Sequence, residues 1–169
     1  MMKIAVGMSG GVDSSVAALL LKEQGHEVTG ITMSIWKGDS SPAVKKSACF
    51  GPDEQDDIAH AEEVCRSLGI TLHVFDCSTE YEQVVIDYFR REYAGGRTPN
   101  PCVKCNATMK FGLLPQAARR AGVQFDMFAT GHYARAGLNQ ATNRRFLRRG
   151  KDQSKDQTYF LYRLTQTQL

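Results

Sequence analysis

A chain of 169 residues, 42% hydrophobic and 23% charged, is one domain's worth of sequence and too apolar for a disordered tail. It holds no run of about 18 apolar residues, which excludes a membrane-spanning helix, and its apolar start is broken by glycines and Asp13 too early for an export signal. The net charge of +3 is uneven: residues 135–169 carry eight basic against two acidic side chains, a net of +6, leaving −3 for the first 134. That end suits a partner bearing phosphates, although a solvated hairpin studded with arginines has the same composition.

Lys3 to Gly7 reads as a short buried strand. A Gly/Ser turn follows, then a helix on which Val12, Val16, Leu19, Leu20 and Glu23 keep helical spacing, with Gly25 as its stop. Glu27 to Met33 is a second, β-branched strand. The polar stretch from Lys37 to Gln55 is long for a plain connection and reads as a functional or mobile loop. Asp53 to Leu68 predicts a helix with Ile58, Ala61, Val64, Cys65 and Leu68 on one face, ended by Gly69. Thr71 to Phe75 predicts a third strand, and Thr79 to Tyr93 a third helix stopped by Gly95-Gly96.

Arg97 to Pro101, with two prolines, is expected to be extended. A fourth helix is predicted from about Lys104 to Ala121, kinked at Pro115, and a fourth strand from Phe125 to Thr130. Strands alternating with helices predict an α/β fold with a mainly parallel, doubly wound sheet and helices on both faces. Ligands bind such sheets beyond the C-terminal strand ends. The turn after the first strand, Met33 to Trp36, and Thr130-Gly131-His132 all fall there.

Ser9-Gly10-Gly11-Val12-Asp13-Ser14-Ser15 joins the first strand to its helix. Two glycines let backbone amides approach a ligand, and the helix N-terminus offers N–H donors and positive potential to phosphate oxygens. Ser9, Ser14 and Ser15 add hydroxyls, and Asp13 would hold Mg2+ or cap the turn. The loop lacks the Gly-Lys-Ser/Thr ending of a Walker A loop and the spacing of a dinucleotide turn. The bland alternative is an ordinary Gly-Ser turn with Asp and Ser as helix caps.

This segment resembles the PP-loop of the ATP pyrophosphatases, enzymes with an adenine nucleotide alpha hydrolase-like fold that split ATP between its α and β phosphates. Three further segments narrow the resemblance: Gly95-Gly96-Arg97-Thr98-Pro99-Asn100-Pro101 with Cys105-Asn106 and Lys110-Phe111, then Ala129-Thr130-Gly131-His132-Tyr133, then Lys155-Asp156-Gln157-Thr158-Tyr159-Phe160-Leu161. In this order they are similar to tRNA-specific 2-thiouridylases of the MnmA type. The likeness implies that residues 1–134 form the PP-loop core, and that 135–169 form a basic hairpin and the start of a helical segment. It also implies that the family's central and C-terminal domains, with a second catalytic cysteine, are absent.

By the same likeness Gly7, Met8, Ser9, Gly10, Gly11, Val12, Asp13 and Ser14 hold the ATP phosphates, while Met33 and Gly131 line the nucleotide pocket. Asp13 and Cys105 are the expected catalytic residues, Cys105 as a nucleophile at a helix start beside Lys104. Asn100, Pro101 and Cys102 would border the target base, and His132, Lys155, Asp156 and Gln157 would contact tRNA. The implied reaction is ATP-dependent: the wobble-uridine C2 oxygen is adenylated with loss of pyrophosphate, and sulfur then displaces AMP.

ATP and Mg2+ are the expected cofactors, with tRNA and a sulfur relay or cysteine desulfurase as partners, no membrane, and a cytoplasmic location. The odd number of cysteines agrees with a reducing compartment. Cys102-Val103-Lys104-Cys105 departs from the family, many of whose members have Asp at the first position. A C-x-x-C pair can hold an iron–sulfur cluster of the [4Fe-4S] kind, ligate zinc, form a disulfide bond, or serve as a nucleophile with a spare thiol. Cys65 and Cys77 read as structural; Cys49 reads as a loop bystander by default, or, in the cluster reading, it or a cysteine from elsewhere joins Cys102 and Cys105 as a ligand. Two other functions stay open: a PP-loop ligase of a small metabolite, and a nucleotide- or RNA-binding remnant without turnover.

Overall fold

The computed structural model describes residues 1–38 and 50–169, so most of the 37–55 loop, Cys49 included, lies outside the described residues. The chain divides into two compact units, Met1–Thr79 with Leu114–Gly131, and Glu80–Leu113 with His132–Leu169.

In the first unit, β1 (Lys3–Gly7), β2 (Glu27–Ser34), β3 (Leu72–Asp76) and β4 (Met127–Thr130) form a parallel sheet in the order β3-β2-β1-β4. Helices α1 (Val12–Glu23) and α2 (Glu54–Leu68) supply one face, where Ile4, Val6, Met8 and Val28 pack with Ala18, Ala61 and Cys65. Helix α6 (Leu114–Arg120) supplies the other, where Ala5, Ile31 and Phe125 meet Leu114 and Ala118. Alternate residues of β1 and β2 thus enter different cores, as the period-two pleat requires. The doubly wound sheet predicted from the sequence is present.

Helix α1 departs from its expected packing. Its buried residues are Ser14 and Ala18, whereas Val12, Val16, Leu19 and Leu20 are exposed. Small residues on the inner face let the helix approach the sheet closely. The helix ends at Gly25 as expected: Gly25 N–H donates to Lys22 O and His26 N–H to Leu21 O, the two bonds of a left-handed helix stop. Gly30 on β2 is required by packing, because a Cβ there would lie 2.9 Å from Cys65 Sγ and 2.9 Å from Leu72 Cδ1.

In the second unit, a π-helical turn (Glu82–Ile86) leads into α4 (Asp87–Ala94); with α3 (Ser78–Tyr81) before it, this covers the predicted third helix. Helix α5 (Pro101–Cys105) and a second π-helical run (Asn106–Leu113) follow. The helix therefore starts at Pro101, three residues before the expectation. Proline suits the first helical position because its missing N–H has no intrahelical role there, and Asn100 Oδ1 caps the turn by accepting from Val103 N–H at 3.1 Å. The irregularity expected at Pro115 falls upstream, in the π-helical run. There the Gln168 side-chain amide donates to the carbonyls of Ala107, at 2.8 Å, and Phe111, at 3.2 Å.

Strands β5 (Ala134–Asn139) and β6 (Arg144–Arg149) form an antiparallel hairpin. Gln166 accepts from Arg145 N–H and donates to Arg145 O, both at 2.9 Å, and so blunts an open strand edge. Among the described residues no helix is long and apolar enough to cross a membrane.

The tight fit at Gly30 is testable by Gly30→Val, which keeps a strand-forming residue. We expect a loss of about 1–3 kcal/mol in urea unfolding from overpacking; unchanged stability would show that Cys65 and Leu72 yield freely.

Candidate functional site

The loop after β1 is built almost wholly of backbone. Met8 N–H is still in the sheet, donating to Ile31 O at 2.9 Å. Gly10 then turns the chain with φ +74°, and a Cβ there would stand 2.2 Å from the Asp57 carbonyl oxygen. Only glycine meets both demands. Gly11 precedes α1 in extended geometry and brings no side-chain cap. The first N–H groups of α1 therefore lack the partner that a Ser, Asp or Asn cap supplies, and they remain aimed at whatever occupies the loop.

The serines hold the loop together. Ser14 Oγ accepts from Ser9 N–H at 3.2 Å and donates to Gly11 O at 3.0 Å, and Ser15 Oγ donates to Gly11 O at 2.9 Å. Asp13, in the first turn, is exposed. Gly131, just beyond β4, closes the other side: a Cβ there would meet the Asp13 carbonyl carbon at 2.5 Å and Ser14 N at 2.6 Å. Gly7 to Ser14 and Gly131 thus come together at the point where strand order reverses between β1 and β4. Met33 lies further along the sheet, paired with Phe75 and half-buried on the α6 face.

Sequence reading missed Glu54. Its buried carboxylate accepts from Ser34 Oγ at 2.8 Å, Ile35 N–H at 2.7 Å and Trp36 N–H at 3.1 Å. It fixes the exit of β2, with Trp36 set edge-on to Phe50 at 4.9 Å. A glutamate early in a helix is the only hint in the sequence, and it reads equally well as a dipole partner.

In the second unit Asn100 and Pro101 form the start of α5, Cys102 is exposed, and Cys105 is buried at 7% exposure. Cys105 ends α5 and does not begin it, so it stands beyond the first turn, where the helix dipole acts most strongly. The Lys104 ammonium lies 5.8 Å from the Tyr88 ring centre. Asn106 Nδ2 donates to Cys102 O at 3.0 Å, while its buried Oδ1 has no partner among the described residues. Cys65, Cys77, Cys102 and Cys105 form no disulfide, and no group of three or more metal-ligating side chains occurs among the described residues. Cys49, the further thiol that the cluster reading calls on, lies outside the described residues.

His132 packs against Phe111 at 5.8 Å between ring centres, and burial, reinforced by Lys110, holds its pKa down to about 4. The imidazole is therefore neutral at pH 7. Asp156 and Gln157 turn inward: Asp156 accepts from Gly150 N–H at 2.8 Å and Thr158 Oγ1 at 2.6 Å, and Gln157 Oε1 accepts from Tyr133 N–H at 3.0 Å. These bonds hold the Asp156 carboxyl below its usual range, the Thr158 hydroxyl first among the causes. Lys155 is exposed.

A histidine with a depressed folded pKa stabilises fully above its unfolded value near 6.5 and loses that contribution as pH falls towards 4. Wild type should lose about 3 kcal/mol more than His132→Phe between pH 7.5 and 3.5 in urea titrations. Parallel pH profiles would refute the half-buried neutral imidazole.

The chain matches the family described as the tRNA methyl transferase HUP domain over residues 2–169. It is 56% identical over 171 aligned residues to a tRNA-specific 2-thiouridylase MnmA of Endomicrobium trichonymphae, covering 99% of this chain and 47% of the relative. It is 48% identical over 167 residues to the protein of that name from Clostridium perfringens, covering 99% and 45%. Among solved structures, a predicted subunit of tRNA methyltransferase from Methanocaldococcus jannaschii aligns at 18% identity with a TM-score of 0.46, over 78% of this chain and 53% of that one. The chain spans about half the length of the curated relatives it matches. The match over residues 2–169 places this chain, with its parallel sheet and glycine-built loop, in the tRNA methyl transferase HUP domain family.

Proposed function

We propose that this chain is the ATP-using part of a tRNA 2-thiouridylase. The observation that carries the reading is the uncapped N-terminus of α1 behind Gly10 and Gly11, with Gly131 pressed against Asp13 and Ser14. A cradle of backbone N–H groups suits a polyphosphate, because the donors are fixed before the ligand arrives. The family's description speaks of methyl transfer and the relatives' names of 2-thiolation. A methylsulfonium donor has no phosphates for such a loop to hold, so the loop favours thiolation.

The chemistry follows from the groups at hand. The loop amides and the Ser9 hydroxyl take phosphate oxygens, and Asp13, the single carboxylate between Gly7 and Ser15, supplies an oxygen to Mg2+. Magnesium, when bound, neutralises charge on the phosphates. The uridine C2 oxygen forms a bond to the α-phosphorus while the bond to the β-phosphate oxygen breaks, and pyrophosphate leaves. A relay or desulfurase would deliver sulfur as a protein persulfide; its terminal sulfur attacks C2, and AMP departs with the former C2 oxygen. The Cys105 thiolate then breaks the remaining S–S bond, forming a disulfide with the carrier cysteine, while the thiolated base regains the N3 proton lost on adenylation.

In the second unit Asn100 and Pro101 shape a preset turn for the base, which must be splayed out of the anticodon loop to react. Cys105 acts as a thiol, and no step is routed through an iron–sulfur cluster. His132 serves as a neutral, shape-defining wall, while Lys155 takes phosphate and Asp156 and Gln157 hold the contact surface in place. A sulfur relay or desulfurase delivers the sulfur, and the cytoplasm, reducing and rich in tRNA, is the place of work.

Pyrophosphate release from ATP, measured with and without unmodified tRNA, tests this reading. Stimulation by tRNA is expected; stimulation by ammonia or an amino acid instead would point to a small-metabolite ligase. Asp13→Asn should cut release about 100-fold or more without altering the far-UV spectrum. Undiminished release would remove the loop assignment.

In the full-length context, Cys105→Ser should leave pyrophosphate release near wild type and stop 2-thiouridine from appearing, measured by nucleoside chromatography against the wild type. Normal thiolation in that variant would dismiss the thiol's role.

A further inference from the structure

Residues Thr158–Leu161 form a single 3-10 turn whose Leu161 is buried at 4% exposure. Anchoring Leu161 inward leaves the rings of Tyr159 and Tyr162 outward, 63% and 64% exposed. They are three residues apart, the spacing that aligns side chains on such a turn, and their ring centres lie 6.0 Å apart at a 38° tilt. Both rings border a cavity of about 680 Å3 within the second unit. Leu147 and Leu164 give this cavity an apolar wall, and Arg149 adds a cation.

Strand alternation puts Arg145, Leu147 and Arg149 on one face of β6. The residues opposite Leu147 and Arg149 are Ala136 and Ala134, small enough to leave that face open. Asp156, the one acidic side chain in the wall, already accepts from Gly150 N–H and the Thr158 hydroxyl. The segment around the cavity, residues 135–169, carries a net charge of +6.

We propose that Tyr159 and Tyr162 form a stacking platform for an unpaired nucleobase of RNA, with Arg149 taking the adjoining phosphate. The inference rests on the tRNA reading above and adds a recognition site to it. An apolar peptide would be met by the tyrosines and leucines but gains nothing from Arg149 or from the net positive charge of residues 135–169. A nucleotide uses both: the base lies on a ring face and the phosphate meets a guanidinium. The cavity is within the size range of small-ligand sites, about 300–1,000 Å3. Stacking of this kind tolerates any base, so the platform grips a loop without reading its sequence.

The test is fluorescence anisotropy with a labelled anticodon stem–loop RNA and the whole chain over a range of salt. Tyr159→Ala and Tyr162→Ala are each expected to weaken binding about 5- to 100-fold, while Tyr159→Phe and Tyr162→Phe stay within about twofold. The salt slope should not change in the tyrosine variants and should fall by about one in Arg149→Ala. Alanine variants that bind as wild type overturn the platform, and would mean that arginines alone hold the RNA or that the tyrosines face a protein. If they do so while tRNA still stimulates pyrophosphate release, the platform alone has failed. A wild-type chain that neither binds the RNA nor responds to tRNA overturns both readings.

Discussion

The candidate nucleotide site depends on one close approach, that of the Gly131 backbone to the first turn of α1. The distances a Cβ would have, 2.5 Å to the Asp13 carbonyl carbon and 2.6 Å to Ser14 N, leave no room for a side chain. Strand order makes the approach necessary. With β1 between β2 and β4, the chain leaves β1 towards the α1–α2 face, while α6 precedes β4 on the opposite face. The end of β4 therefore reaches the crevice beside the β1 loop with only its backbone between neighbours. The same closeness accounts for Ser14 and Ala18 on the inner side of α1, and for apolar residues displaced to its outer side.

Much of this was legible in the sequence, and the reasons differ from place to place. The strands of the first unit were readable as short apolar runs between turn residues, β2 the most β-branched of them, and helix ends were readable because glycine at a left-handed stop has few substitutes. The loop after β1 was readable because its requirements fall on the backbone, and glycine records them directly. The onset of α5 was not. Proline restricts the residue before it, so Pro99 and Pro101 together suggested extended chain, yet Pro101 opens a helix as its first residue. The apolar spacing of α1 was read correctly as helical, but spacing does not say which face a sheet will accept.

Polar side chains acting on distant backbone were the least legible. Glu54, Gln166 and Gln168 each satisfy carbonyls or N–H groups far away in the chain, and nothing local to them announces it. Their effect is large because a buried strand exit or an irregular helix has backbone groups that must find partners. Gln168, bonding Ala107 and Phe111, supports the π-helical run that follows Cys105, and so bears on the segment carrying the thiol pair. That pair is unequal: Cys102 is open to solvent, whereas Cys105 is nearly covered. Anything that reaches the Cys105 thiol must therefore move something first, whereas Cys102 can be met as it stands.

The Lys155-Asp156-Gln157 segment shows how a motif mixes two kinds of constraint. Asp156 and Gln157 spend their side chains on Gly150, Thr158 and Tyr133, which sets the path of the chain from the hairpin into the turn bearing the tyrosines. Gly150 takes part through its backbone, bonded at its N–H and packed 3.2 Å from Tyr133 O by its would-be Cβ. Lys155, Tyr159 and Tyr162 are the members left facing outward. If the proposed platform holds RNA, replacing Asp156 or Gln157 weakens that binding by misplacing the outward set, so a loss there is common to a bracket and a contact. Only the outward side chains separate the two, because removing them leaves the brackets intact.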